Sequence, residues 1–225
     1  HADALAGLLV EPFDQGAGGM IFHSEDVLKK VADLCQKHDI LLIADEIMTG
    51  LGRLGEMVAC QRADVTPDII TFSKTLTGGT VPLAATIASR RIFEAFLDDD
   101  PSKALMHGPT FMGNPIGCAA ALASLDLFEQ EPRLDQVKAI ETQLIKELEP
   151  ARELPAVKDV RVCGSIGVIE TTGLGDVNLL KKRFVEEGVW IRPFGNIIYT
   201  IPPYIIGQKD LTQITSAMVN LSKEL

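Results

Sequence analysis

Two charged side chains close short apolar runs, and their types and spacing admit one demanding chemistry. Lys74 ends Ile69-Ile70-Thr71-Phe72-Ser73 and is followed by Thr75-Leu76-Thr77-Gly78-Gly79, a small, flexible turn that lets a bulky ligand approach the backbone. Asp45 ends Ile40-Leu41-Leu42-Ile43-Ala44, upstream of Lys74 by about the length of one βαβ unit. Runs this short and apolar read as strands buried on both faces, and in open α/β sheets ligands collect at the carboxyl ends of the strands. A solvated surface lysine, or a plain ion pair with Asp45, is the ordinary explanation. The chemical alternative is an amine that forms a Schiff base with an aldehyde, beside a carboxylate that keeps a pyridine nitrogen protonated and electron-withdrawing. Pyridoxal phosphate needs both.

Periodicity supplies the elements that must position these groups. Leu5 to Val10 is a strand-like run, and Ser24 caps a predicted helix with Glu25 and Asp26 in its first turn and Val27, Leu28, Val31, Leu34 and Cys35 on a core-directed face. Asn114-Pro115 starts a helix through Cys118-Ala119-Ala120-Ala121 to about Glu129, and Val137, Ile140, Leu144 and Leu148 mark another. Strands are predicted over 157–162, 166–170, 189–192 and 197–200, with a helix over 177–187 between the middle two. Asp210 is the predicted cap of a closing amphipathic helix carrying Leu211, Ile214, Met218, Leu221 and Leu225. This alternation predicts an α/β fold: a mainly parallel sheet in residues 1–132 and a smaller C-terminal α+β domain in 133–225, with the boundary near Glu131-Pro132.

Composition narrows the function. The 225 residues carry a net charge of −10 without a Lys/Arg stripe, which argues against nucleic acid and anionic membrane surfaces as partners. No apolar run is long enough to span a bilayer, and His1 to Val10 has no basic leader region. Cys35, Cys60, Cys118 and Cys163 lack C-x-x-C spacing and read as small buried apolar residues, which fits a reducing, cytoplasmic setting. His23, His38 and His107 show no metal spacing, so no metal is expected. Asp98-Asp99-Asp100 reads as a solvated loop, and Met20 and Met112 as core filling. A first residue of His1 rather than Met suggests a fragment of a longer protein.

The stretch Asp45-Glu46-Ile47-Met48-Thr49-Gly50-Leu51-Gly52-Arg53-Leu54-Gly55 resembles the signature of the class III, fold-type I aminotransferases, and Ser73-Lys74 with its Thr-Gly-Gly sequel resembles their lysine motif. Met106-His107-Gly108-Pro109-Thr110-Phe111-Met112-Gly113-Asn114-Pro115, Val189-Trp190-Ile191-Arg192-Pro193-Phe194-Gly195 and Glu11-Pro12-Phe13-Asp14-Gln15-Gly16-Ala17-Gly18-Gly19 look like the diaminononanoate branch of that family. The likeness runs from about Leu8 to the C-terminus.

The resemblance implies a pyridoxal-phosphate transaminase of biotin synthesis that passes an amino group, usually from S-adenosylmethionine, to 7-keto-8-aminopelargonate. It implies that Lys74 forms the Schiff base and moves the proton, that Asp45 holds the pyridinium, and that Ile47 packs against the ring. Thr110 would reach the cofactor phosphate of the other subunit of a homodimer, and Arg192 would bind the substrate carboxylate with its bidentate fork. Gly108, Tyr199 and Glu11 are further substrate-side candidates, Glu11 as a partner of Arg192 when no carboxylate is bound. Each has a plainer alternative: Ile47 a core residue, Thr110 a turn cap, Arg192 a strand-end surface charge, Tyr199 a core wall.

Ser73 stands where many relatives have glycine. Complete members also carry an N-terminal segment that supplies the phosphate cradle and an aromatic residue stacked on the ring, so these 225 residues alone are expected to be nearly inactive. Another class III ω-aminotransferase, acting on ornithine, 4-aminobutyrate or a diamine, or a non-catalytic fragment, remain the alternatives.

Overall fold

The two apolar runs are strands and lie side by side in the computed structural model, which describes residues 4–225. In chain order the strands are β1 Gly7–Val10, β2 Asp14–Gln15, β3 Ile21–Phe22, β4 Leu41–Asp45, β5 Ile69–Phe72, β6 Ala85–Ala88, β7 Val157–Cys163, β8 Ile166–Thr171 and β9 Ile197–Thr200. The α-helices are α1 Glu25–Lys37, α2 Arg90–Glu94, α3 Pro115–Gln130, α4 Arg133–Leu148, α5 Val177–Glu186 and α6 Gln208–Ser222. The chain forms two units, each discontinuous in sequence. One comprises residues up to Asp14, His23–Leu51 and Glu56–Glu131; the other comprises Gln15–Phe22, Gly52–Gly55 and Pro132–Leu225. Among the described residues no helix is long and apolar enough to cross a membrane.

The first unit is built on a sheet of order β1-β4-β5-β6, in which β1, β4 and β5 run parallel and β6 antiparallel. Pairing of Val10 with Ala44 and of Asp45 with Thr71 brings the carboxyl ends of three strands to one edge. Strand β4 is buried at Leu42 and Ala44 but only half-buried at Leu41, Ile43 and Asp45, so one face is sealed and the other is not. Helix α1 packs against β4. It buries Leu28 and Cys35, whereas Val27 and Leu34 remain exposed, because the covering stripe follows i, i+3/i+4, i+7 from Leu28 and leaves these two on its flank. Asn114 caps α3 as its sequence suggests, its side-chain oxygen accepting from the Ile116 N–H at 2.9 Å.

The second unit sets α4, α5 and α6 with the antiparallel sheet β7-β8-β9. Val137, Ile140, Leu144 and Leu148 of α4 are all buried, as their spacing predicts. Gly167 on β8 permits the helix to approach, since a Cβ there would stand 2.9 Å from Leu148. Two sequence expectations fail here. Residues 189–192 alternate inward and outward yet form no strand: Arg192 precedes Pro193, which lacks an N–H, and the chain turns at Gly195 into a hairpin closed by Phe194 and Ile197. Helix α6 starts at Gln208 with Gly207 as N-cap, placing Asp210 inside the first turn, and it ends before Leu225.

The short inserted stretches are tied into this second unit by arginines. Arg161 on β7 donates to the carbonyls of Gly19 at 3.0 Å and Met20 at 2.7 Å while pairing with Glu170 at 2.7 Å. Arg53 donates to Ser165 Oγ at 2.9 Å and the Pro202 carbonyl at 2.8 Å, and its guanidinium lies 4.4 Å from the Tyr204 ring centre. Burial pulls the Arg53 pKa down from its ordinary value. Gly164 makes room for this stretch: it holds φ of 53°, and a Cβ would fall 2.4 Å from the Arg53 carbonyl oxygen. Gly164→Ala therefore combines backbone strain with a clash against main chain, and a loss of at least about 3 kcal/mol in denaturant unfolding is expected.

Candidate active site

Strand register alone brings the chemistry together. Asp45 is the last residue of β4 and pairs with Thr71 of β5, three residues before Lys74. The Asp45 carboxylate is anchored through one oxygen: Oδ1 accepts from the Ile47 N–H at 3.1 Å and from Thr71 Oγ1 at 3.3 Å. Oδ2 accepts no bond among the described residues, which leaves a fixed, oriented acceptor at the sheet edge. Ile47 is half-buried two residues on.

Lys74 opens a 3-10 turn, Lys74–Thr77, that ends on Gly78 in the left-handed conformation. Its ammonium has no hydrogen-bond or ion-pair partner among the described residues, and its backbone holds φ of 43°, sterically costly for a residue with a Cβ. The neighbours over-determine that conformation: Ser73 Oγ donates to the Leu83 carbonyl at 2.7 Å, Thr77 Oγ1 to that of Val81 at 2.7 Å, and Leu76 inserts into an apolar cluster with Leu51, Phe72 and Ala121. Such strain is found where a side chain must be aimed. A cavity of about 310 Å³ opens here, bordered by Ser73, Lys74, Thr77 and Gly79. The larger cavity of the first unit, about 680 Å³, lies at the opposite end of β4 and β5, where Arg91 already bridges Asp39 and Asp68. It offers no side chain poised for chemistry, so the smaller one is the candidate site.

Glu46 was not singled out by sequence reasoning, yet it fixes the turn that follows Asp45. It is buried, and its two carboxylate oxygens accept from the backbone N–H groups of Ala59 at 2.7 Å and Cys60 at 2.8 Å. Burial pushes its carboxyl up despite those bonds, and the same burial, with Glu46 alongside, raises the Cys60 thiol well above its usual range. The signal was present: an acid following an apolar strand, with no basic residue nearby in sequence, must find N–H donors if it is buried. Gly50 belongs to the same packing, since a Cβ there would stand 2.8 Å from both Glu46 Oε2 and the Phe72 ring.

The remaining candidates are placed as follows. Glu11, half-buried, directly follows β1 at the carboxyl edge of the sheet. Gly108 and Thr110 lie in an exposed loop of the first unit, flanked by exposed Met106 and Phe111. Arg192 and Tyr199 border one cavity of about 610 Å³ in the second unit.

These residues fit pyridoxal phosphate on three counts. An unpartnered lysine amine and an acceptor oxygen stand at neighbouring strand ends, and open space lies over the left-handed glycines 78 and 79. A sheet that presents such a pair at its carboxyl edge is that of the fold-type I pyridoxal-phosphate enzymes. The family model for class III aminotransferases matches residues 1–221, and the chain belongs to that family.

Among its relatives, the protein of Mycobacterium leprae named adenosylmethionine-8-amino-7-oxononanoate aminotransferase is 46% identical over 222 residues, which cover 99% of this chain and 51% of the relative. The protein of the same name from Corynebacterium glutamicum is 44% identical, covering 96% and 51%. The crystal structure of the protein so named from Methanocaldococcus jannaschii superposes with a TM-score of 0.93 at 34% identity, over 100% of this chain and 55% of the other. The chain thus spans about half the length of the curated relatives it matches.

Proposed function

We propose that this chain supplies the lysine, the pyridinium partner and the substrate arginine of a transaminase that moves an amino group from S-adenosylmethionine to 7-keto-8-aminopelargonate, giving 7,8-diaminononanoate. The observation that carries the reading is the anchored Asp45 carboxylate at the strand end beside the unpartnered Lys74. The names and identities of the relatives support the choice of substrates. In this reading the first unit is the cofactor-binding part of the large domain, and the second is the small domain.

Bound pyridoxal phosphate supplies an aldehyde that condenses with amines and a ring that withdraws electrons from the carbon bearing the nitrogen. Asp45 Oδ2 would accept the pyridinium N–H and keep it protonated, while Thr71 and the Ile47 amide hold the other oxygen. Ile47 packs against the ring. Lys74 Nζ would hold the cofactor and, once free, would be the base that moves a proton. Arg192 grips the substrate carboxylate, with Tyr199 on the wall of the same cavity and Glu11 and Gly108 as further substrate-side residues. Thr110 reaches the cofactor phosphate of a second copy, so the working unit is a homodimer. Its exposure beside Met106, 92% exposed, and Phe111, 80% exposed, supports a surface that a second copy covers.

Borohydride reduction of the protein mixed with pyridoxal phosphate, followed by peptide mapping, tests the core of this reading. The label is expected on Lys74 and nowhere else in stoichiometric amount. A label spread over surface lysines, with Lys74 unmodified, would sink the assignment.

A further inference from the structure

Residues 189–193 belong to no strand or helix, and their side chains alternate between buried and exposed. Val189 and Ile191 enter the core of the second unit, while Trp190 and Arg192 face outward, Trp190 with 85% of its surface exposed. Two positions apart in this alternation, these side chains share one face about 7 Å from each other. Both border the 610 Å³ cavity that also contains Tyr199, and both border a second cavity of about 250 Å³ completed by Ile191, Val185 and Lys181. Val185 on α5 is itself 63% exposed, and the Lys181 stem offers methylenes on the same helix, one turn away. The smaller cavity is therefore apolar beside Arg192, whereas the larger one also carries the polar side chains of Thr200, Asp210 and Gln213.

We propose that Trp190 is a specificity-determining residue. With Val185 and the Lys181 stem it forms an apolar wall that takes the aliphatic chain of a substrate whose terminal carboxylate is held by Arg192. The inference rests on the reading of Arg192 as the carboxylate-binding residue and adds to it a residue that sorts substrates by the length of the aliphatic chain running from that carboxylate. Each methylene laid on the wall strengthens binding by about threefold, until the wall is covered.

Trp190 is the sole tryptophan of the chain, so its fluorescence reports the site directly. Straight-chain acids from acetate to nonanoate, and the matching alcohols, are titrated into the protein by fluorescence and by calorimetry. Trp190→Ala and Arg192→Ala are followed by calorimetry and fluorescence respectively. Trp190 is too exposed for its truncation to leave a core cavity, and circular dichroism checks the fold.

The dissociation constants are expected to fall about threefold per methylene in the parent protein. That slope flattens in Trp190→Ala, while Arg192→Ala weakens all acids alike and keeps the slope. A slope unchanged in Trp190→Ala, no dependence on chain length, or no binding of any acid overturns the wall. Equal affinity for acids and alcohols, unaltered by Arg192→Ala, overturns the reading of Arg192 and leaves the wall to be judged by its own slope.

Discussion

On the proposed function, Lys74→Ala is expected to lower transamination by the enzyme containing this chain by at least about 100-fold and to leave the fold as stable as before. The chemical loss follows if, as proposed, one amine serves both as the attachment point for the cofactor and as the proton carrier, since no neighbour at the strand ends can substitute: Asp45 is an acceptor already anchored through Oδ1, and Ser73 is committed to the Leu83 carbonyl. The stability half follows from the backbone. Lys74 holds φ of 43° and its ammonium engages no partner among the described residues, so truncation sacrifices no contact and the strain is unchanged. Lys74→Gly goes further: glycine enters the left-handed region freely, and this variant should match or exceed the alanine variant by about 1 kcal/mol. Single-turnover rates and unfolding midpoints for the two variants separate the claims. Retained turnover in either would contradict the role of Lys74, and a glycine variant clearly weaker than alanine would contradict the strain.

The second large effect concerns Glu46 and is read in stability. Glu46→Ala leaves the Ala59 and Cys60 N–H groups buried without an acceptor and opens a cavity beneath the Gly50 turn, a combined loss of about 3 kcal/mol or more. The pH dependence has a definite sign. Burial raises the carboxyl in the folded state above its unfolded value, so the folded chain binds this proton more tightly than the unfolded one. The contribution of that proton to stability is full below the unfolded carboxylate pKa and is lost as pH rises through the raised folded value. Stability of the parent protein minus that of Glu46→Gln should therefore decline with rising pH across the mildly acidic range. A difference flat with pH would show that the carboxyl is not raised by burial.

Legibility in the sequence tracked how local the determining interactions are. Strand β5 lies where its apolar run predicts, and Val137, Ile140, Leu144 and Leu148 of α4 all point inward, because each follows from a continuous hydrophobic signal. Residues 189–192 show the limit: their alternation is real, but Pro193 and the turn at Gly195 deny them a partner strand, and pairing is a property of the neighbour as much as of the run. Strand β6, Ala85–Ala88, carries too little bulk to signal itself and exists because β5 offers it an antiparallel edge. At the site, Asp45 and Lys74 were legible as polar residues following apolar strands, although β4 is buried on one face only and not on both as its run suggests. The Thr71 hydroxyl and the Glu46 clamp were not, because one depends on strand register and the other on a turn that returns thirteen residues later.

The arginine anchors of the inserted stretches bear on how the chain acquires its structure during synthesis. Residues 15–22 and 52–55 leave the ribosome well before β7, Ser165 and Pro202, which supply the bonding partners of Gly19, Met20 and Arg53. Until translation passes Tyr204, these two stretches are nascent segments with their final contacts unmade, and Arg53 in particular has neither its carbonyl acceptor nor its ring. Closure of such long-separated contacts is entropically slow and comes late. The second unit cannot mature vectorially from either end alone, and a chain truncated before β7, which lacks all these partners, should be sensitive to protease at these two stretches.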